Sequence, residues 1–171
     1  LLVERDSMPG DSAVHYAYVL DDAGHRTRGD SAGNVGPPIV LHRGEPTTIW
    51  IVNHTPEMTQ VHWHGLEVPF EMDGVPDVTQ QPIKPGASFT YEFTTSKAEL
   101  GMYHSHHNAQ VQVTNGMLGI FQVGDAALPA NTGPVTQTVP MVLNDAGVIG
   151  LTLNGKSFPA TAPIIAHPGD W

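Results

Sequence analysis

The sequence predicts an all-β sandwich, and three observations carry that expectation. Over 171 residues, Gly 18 and Pro 15 supply turn formers at short intervals. Apolar residues come in short runs, several alternating with polar ones, as half-buried strands require. No stretch of about ten residues or more shows a helical period.

Val14 to Leu20 reads as the first strand, ended by the turn Asp21-Asp22-Ala23-Gly24. A polar, Gly-rich loop follows from His25 to Gly36, and Pro38 to Leu41 is a short apolar strand. Thr47 to Asn53 (TTIWIVN) is a β-branched run of high strand propensity. Thr59 to His64 (TQVHWH) alternates, and Ser88 to Phe93 sets Phe89, Tyr91 and Phe93 on one face toward a core. Met102 to His106 and Met117 to Val123 complete a set of about seven or eight strands. His107 to Thr114 has room for one short turn of helix.

Composition excludes several classes of function. Lys+Arg 7 against Asp+Glu 17 leaves a net charge of -10, the wrong sign for a nucleic-acid groove. Apolar runs such as Pro37 to Leu41 are far too short to span a bilayer as a helix. The N-terminus shows no basic, apolar signal segment, and the start at Leu1-Leu2, without an initiator Met, raises the expectation of a removed targeting segment. Cys 0 means no disulfide, no Cys nucleophile and no thiolate metal ligand.

An internal echo bears on domain organisation. Val19-Leu20-Asp21-Asp22-Ala23-Gly24 recurs as Val142-Leu143-Asn144-Asp145-Ala146-Gly147. Pro38-Ile39-Val40-Leu41-His42-Arg43-Gly44-Glu45 recurs loosely, at nearly the same offset, as Pro163-Ile164-Ile165-Ala166-His167-Pro168-Gly169-Asp170. Two matches in order indicate one complete domain over 1–133, a linker at Gly124 to Pro134, and the opening of a second domain of the same type over 134–171. A β-hairpin extension that reuses common turn chemistry is the alternative.

His 10 is conspicuous, and five fall in two clusters, His62-Trp63-His64-Gly65 and His104-Ser105-His106-His107. Spacing of i and i+2 puts both imidazoles of a pair on one face of a strand. Two neighbouring strands so marked bring four nitrogen ligands to one small volume, which suits copper and does not exclude zinc. Trp63 then points the other way, into the core, with Trp50 as a candidate neighbour. Met117 reads as core. His42, His54 and His167 read as loop residues near strand starts, and His15 and His25 as solvent-facing. His107 has the opposite parity to His106, and Gln110 lies close enough in sequence to bond a ligand imidazole. Asp73 and Asp77 are loop carboxylates, with turn capping as the bland role for Asp73.

His62-Trp63-His64-Gly65 and Tyr103-His104-Ser105-His106 resemble the first two copper-binding motifs of the multicopper oxidases, the laccase-like enzymes. The resemblance continues through Asp73-Gly74, Thr79-Gln80, Pro82-Ile83, Pro85-Gly86 and Gly116-Met117-Leu118-Gly119, and so covers most of residues 37–123. Leu153-Asn154-Gly155-Lys156-Ser157-Phe158-Pro159 looks like the opening of the second domain in the two-domain, small-laccase members. Gly101-Met102-Tyr103 departs from the family's longer Gly-to-Trp-Tyr approach.

The resemblance implies a cupredoxin-like Greek-key β-sandwich. It implies that His62 ligates the type 2 copper and that His64, His104 and His106 ligate the type 3 pair. Asp73 matches an acidic residue beside the cluster that assists proton delivery, which makes it the candidate catalytic group. The implied reaction takes electrons one at a time from a phenolic, amine or metal-ion donor and reduces O2 to water. Only half of the cluster's histidines match here, and with Cys 0 the chain cannot hold a type 1 blue copper, which needs a thiolate. Both belong to a missing C-terminal cupredoxin domain. The two-domain relatives form homotrimers whose clusters lie between subunits, and the family often works outside the cytosol, in the periplasm or secreted. Two rival readings stand beside this one: a non-catalytic cupredoxin-like copper-binding module, and a copper nitrite reductase relative, which the absent Cys disfavours.

Overall fold

A computed structural model describes residues 1–6, 15–28, 35–97, 99–125, 127–145 and 150–171, with backbone only at 5 and 6. Two sheets face each other. The first holds β1 (Leu2–Asp6), β2 (His15–Asp22), β3 (His25–Arg28), β5 (Pro46–Asn53) and β7 (Ser88–Thr94) in the order β3-β2-β1-β5-β7. The second holds β4 (Ile39–Leu41), β6 (Val61–His64), β8 (Glu99–Ser105) and β9 (Leu118–Val123) in the order β4-β9-β8-β6. Pairing is antiparallel except for β1 with β5 and β4 with β9, the mixed topology of a cupredoxin-like sandwich. Among the described residues no helix is long and apolar enough to cross a membrane.

Strands β5, β6, β7 and β9 follow the sequence pattern closely. Two strands were not legible. β1 is short and charged at its end, and it forms by wedging between β2 and β5, where Leu2 pairs with Val19 on one side and Val52 on the other. β3 occupies the start of the segment read as a loop; Arg26 and Arg28 hold it in place by reaching Glu4. Residues 29–34 of that loop, and Val14 at the predicted start of the first strand, lie outside the described residues.

The core lies between the sheets, with Val3, Tyr16, Tyr18, Ile51, Tyr91 and Phe93 from one and Leu41, Val61, Trp63, Tyr103, Phe121 and Val123 from the other. Trp63 is fully buried among Tyr91, Phe93 and Tyr103, at ring-centroid distances of 5.5, 5.3 and 6.1 Å. Trp50 is not its neighbour. On β5 it has the opposite parity to the inward Ile51, and it stands 59% exposed. His15, read as solvent-facing, is 1% exposed because β2 is buried along its first five residues. Gly119 sits opposite Tyr103 in the β8–β9 register, and a Cβ there would collide with the Tyr103 ring.

Trp63 sets the spacing between the sheets directly behind the two histidines that flank it. Trp63→Ala is expected to cost about 3–5 kcal/mol, and Trp63→Phe clearly less, in urea denaturation of the metal-free chain. Equal losses for the two variants would show that the aromatic volume at this point is not what matters.

Residues 143–153 form a separate hairpin of β10 (Leu143–Asp145) and β11 (Leu151–Leu153). Residues 146–149, including the echoed Ala146 and Gly147, lie outside the described residues, as does residue 126 of the linker. Asn144 Nδ2 donates to the Val113 carbonyl, and Val142 packs on Val35, Leu118 and Ile120, which fastens the hairpin to the sandwich.

Candidate metal centre

β6 carries Val61 and Trp63 inward, so His62 and His64 emerge on the outer face of the sheet. The antiparallel register with β8 pairs His62 directly with His104 and His64 with Met102. β8 ends at Ser105, so His106 follows in the turn beyond the strand rather than within it, as the sequence reading had it. The four rings nevertheless converge. His62 lies 5.6, 5.3 and 5.3 Å from the ring centroids of His64, His104 and His106, and His104 lies 5.6 Å from His64 and 5.9 Å from His106. The ligand nitrogens of His62, His64 and His104 all fall within 4.8 Å of one another, making a histidine-based metal-binding cluster.

Hydrogen bonds fix which nitrogen faces the cluster. His62 Nδ1 lies 2.6 Å from the Asp73 carbonyl oxygen, and His104 Nδ1 lies 2.9 Å from the Ser105 carbonyl oxygen. A carbonyl only accepts, so each Nδ1 carries the proton and each Nε2 offers its lone pair. Among the described residues His104 Nε2 is buried with no hydrogen-bond partner, a cost that a metal bond would remove. The donor set therefore fits a copper ion well: four imidazoles gathered on one face, two of them aimed by backbone carbonyls. His64 and His106 are exposed and leave the cluster open on one side.

Asp73 reaches the site in two ways. Its carbonyl holds His62, while its half-buried carboxylate Oδ1 stands 3.5 Å from the same nitrogen. Its backbone amide donates to the Phe70 carbonyl and closes a short 3-10 turn, Phe70–Met72. Gln60, fully buried, donates to the Gly74 carbonyl and pins this loop along the edge of β6. Thr79 closes the same loop through Val75, which gives the Asp73-Gly74 and Thr79-Gln80 motifs a shared purpose. Asp77 is exposed and bonds back to Gln80 through its amide. Gln110 is exposed as well; Gln112, two residues on, is fully buried and accepts from Ser105 Oγ. The short helix predicted there is α1 (Ala109–Gln112), and its phase could not be read from the sequence. Met117 is buried as expected, and His25, His42, His54 and His167 are exposed.

Burial holds the His104 imidazole below the ordinary histidine range; the Ser105 carbonyl opposes that shift, and the other three imidazoles add to it. With the folded pKa below the unfolded value of about 6.5, the unfolded chain takes up its proton first as pH falls. The contribution is present above about pH 6.5 and is lost as pH falls through the lowered folded value. Urea denaturation of the metal-free chain between about pH 7.5 and pH 5 should therefore show stability declining with acid, and His104→Gln should flatten the decline. An unchanged slope in the variant would remove His104 from the account.

Fold and site together define a cupredoxin-like sandwich with a histidine-rich metal-binding cluster on one sheet. Comparison with known proteins agrees: a family model described as "Multicopper oxidase" matches residues 21–127. The chain belongs to the multicopper oxidase family. It is 40% identical over 90 residues to Laccase-1 of Emericella nidulans, covering 52% of this chain and 14% of that protein. It is 33% identical over 134 residues to the multicopper oxidase mco of Staphylococcus haemolyticus, covering 75% of this chain and 29% of that protein. Among solved structures, the blue copper oxidase of Nitrosomonas europaea superposes with a TM-score of 0.75 at 30% identity, covering 99% of this chain and 56% of that one. The chain thus spans less than a third of these two curated relatives and just over half of that solved structure.

Proposed function

We propose that this chain is the N-terminal part of a laccase-like multicopper oxidase that couples one-electron oxidation of a small phenolic, amine or metal-ion donor to reduction of O2 to water. The observation that carries this reading is the register that sets His62 opposite His104 and gathers both histidine pairs on one open face. By resemblance, His62 would hold the type 2 copper, and His64, His104 and His106 the type 3 pair. The tightest trio, His62, His64 and His104, mixes these two sets, so the assignment rests on motif order rather than on spacing.

Bound copper would supply the redox capacity that amino-acid side chains lack. The chain's own residues do the rest. His62 and His104 are held with Nε2 forward by the Asp73 and Ser105 carbonyls. The Asp73 carboxylate, half-buried and beside His62, is placed to pass protons between water and the cluster. No thiolate is available for a type 1 copper, so the electron entry site would lie on another domain.

Residues 134–171 read as the opening of that second domain. Their hairpin leaves Leu143 79% and Leu151 80% exposed, as a sheet face awaiting a covering layer would. The open side of the cluster at His64 and His106 suits completion by a second cupredoxin domain, in a two-domain homotrimer of the small-laccase kind. A periplasmic or secreted location accords with the family's handling of copper.

The deciding experiment is copper titration of the chain with O2 uptake measured alongside. The chain should bind copper, lack the intense blue absorption of a copper–thiolate bond, and consume no O2 with a phenolic donor. Failure to bind copper, or turnover by the chain alone, would overturn the reading.

A further inference from the structure

The two histidine pairs are not held alike. His62 and His64 lie within β6, whereas β8 ends at Ser105 and leaves His106 beyond the ladder. A buried polar knot fixes the chain there. Gln112 is fully buried; its Nε2 donates to the Met58 carbonyl at 2.8 Å, and its Oε1 accepts from the Ser105 hydroxyl at 2.6 Å. The hydroxyl has one proton, and the short bond to Gln112 claims it. The hydroxyl oxygen is then free to accept from the His107 amide at 3.3 Å. The Gln112 carbonyl accepts from the Met117 amide, and the Met117 carbonyl from the Ser105 amide.

Gln112 thus ties the approach to β6, through Met58, to the turn that carries His104 and His106. Its amide cannot turn over, because its oxygen would then face the Met58 carbonyl oxygen. Through Ser105 the knot also aims the carbonyl that holds His104 Nδ1.

We infer that Gln112 is a positioning residue: by gripping Ser105 and Met58 it sets how His104 and His106 stand relative to His62 and His64. The role rests on the copper reading above, since it matters for binding only if these rings take a metal. Gln112 acts through these two partners, Ser105 beneath the second pair and Met58 ahead of the first.

The test compares Gln112→Met, which keeps the volume and removes both polar groups, with Ser105→Ala and with Ile51→Ala, a core change on the opposite sheet. Nitrogen NMR of the imidazoles in the metal-free full chain reports the His104 tautomer. Cu(II) titration and Cu(II) EPR report affinity and ligand geometry. Gln112→Met should lose the single Nδ1-protonated state of His104, weaken Cu(II) binding about tenfold, and change the copper hyperfine pattern. Ile51→Ala should lower thermal stability and leave all three signals as they are. Wild-type signals in a folded Gln112→Met would overturn the inference. If Gln112→Met does not fold, Ser105→Ala decides in the same way. A wild-type chain that binds no Cu(II) would overturn the copper reading, while the metal-free tautomer would still judge whether the knot positions His104.

Discussion

His104→Ala is expected to lower the copper affinity of the chain by more than about 100-fold, because altering only the groups behind a ligand already costs about 10–100-fold. Three features make His104 the most sensitive of the four. It stands directly across from His62 in the register, its ring is near the other three, and its Nε2 is buried without a partner among the described residues. The fold should survive the change. Tyr103 and Ser105 on either side point into the sandwich and stay in place, whereas the His104 ring points out of it. His42→Ala, in an exposed turn, is the matched control and should bind copper as the wild type does. A competition titration against a chromophoric chelator reads both. Copper binding that survives His104→Ala and fails in His42→Ala would place the site elsewhere.

Gly74→Ala should be the most damaging small substitution near the site. Gly74 has φ +76, a conformation that costs an L-residue about 1–2 kcal/mol. An added Cβ would fall onto the Val61 carbonyl oxygen, 2.6 Å from its carbon and 3.0 Å from His62 Cα. These neighbours are backbone of an edge strand whose outer side this loop covers, so they cannot rotate away. Strain and overpacking together should cost about 2–5 kcal/mol. The damage should also be directional. Moving residue 74 moves the Asp73 carbonyl that holds His62 Nδ1, so copper affinity should fall even where the variant is fully folded. Urea denaturation and copper titration of one preparation separate the two effects. A folded Gly74→Ala with unchanged copper affinity would show that His62 keeps its aim without the loop.

The candidate site was legible in outline because its information is local. Two HxH pairs announce themselves by spacing, and strand parity puts His62 and His64 on one face of β6 and Trp63 on the other, whereas His106, past the end of β8, lies outside that rule. Ser88 to Phe93 was legible for the same reason, its alternation matching the buried Tyr91 and Phe93. Where the reading failed, the deciding partner was distant. His15 is polar by type, yet it is covered by other parts of the fold. Trp50 lies on a convincing strand and was given a neighbour on the wrong side of it. Gln110 and Gln112 differ by two residues in a four-residue helix, too short for any period to declare which one faces inward.

By itself, then, the sequence determined the β-rich class, the two histidine pairs, the missing thiolate and the family motifs, all carried by residue type and near-neighbour spacing. Only the tertiary structure decided that His62 faces His104, that His106 stands past the end of its strand, and that Asp73 holds His62 by its carbonyl as well as flanking it with a carboxylate. It also decided that Gln112 is the buried amide beneath the second pair. Strand register and the pairing of buried polar groups are set by contacts between segments tens of residues apart. Those contacts form only when burying the shared core outweighs the entropy of bringing the segments together, and no local pattern records them.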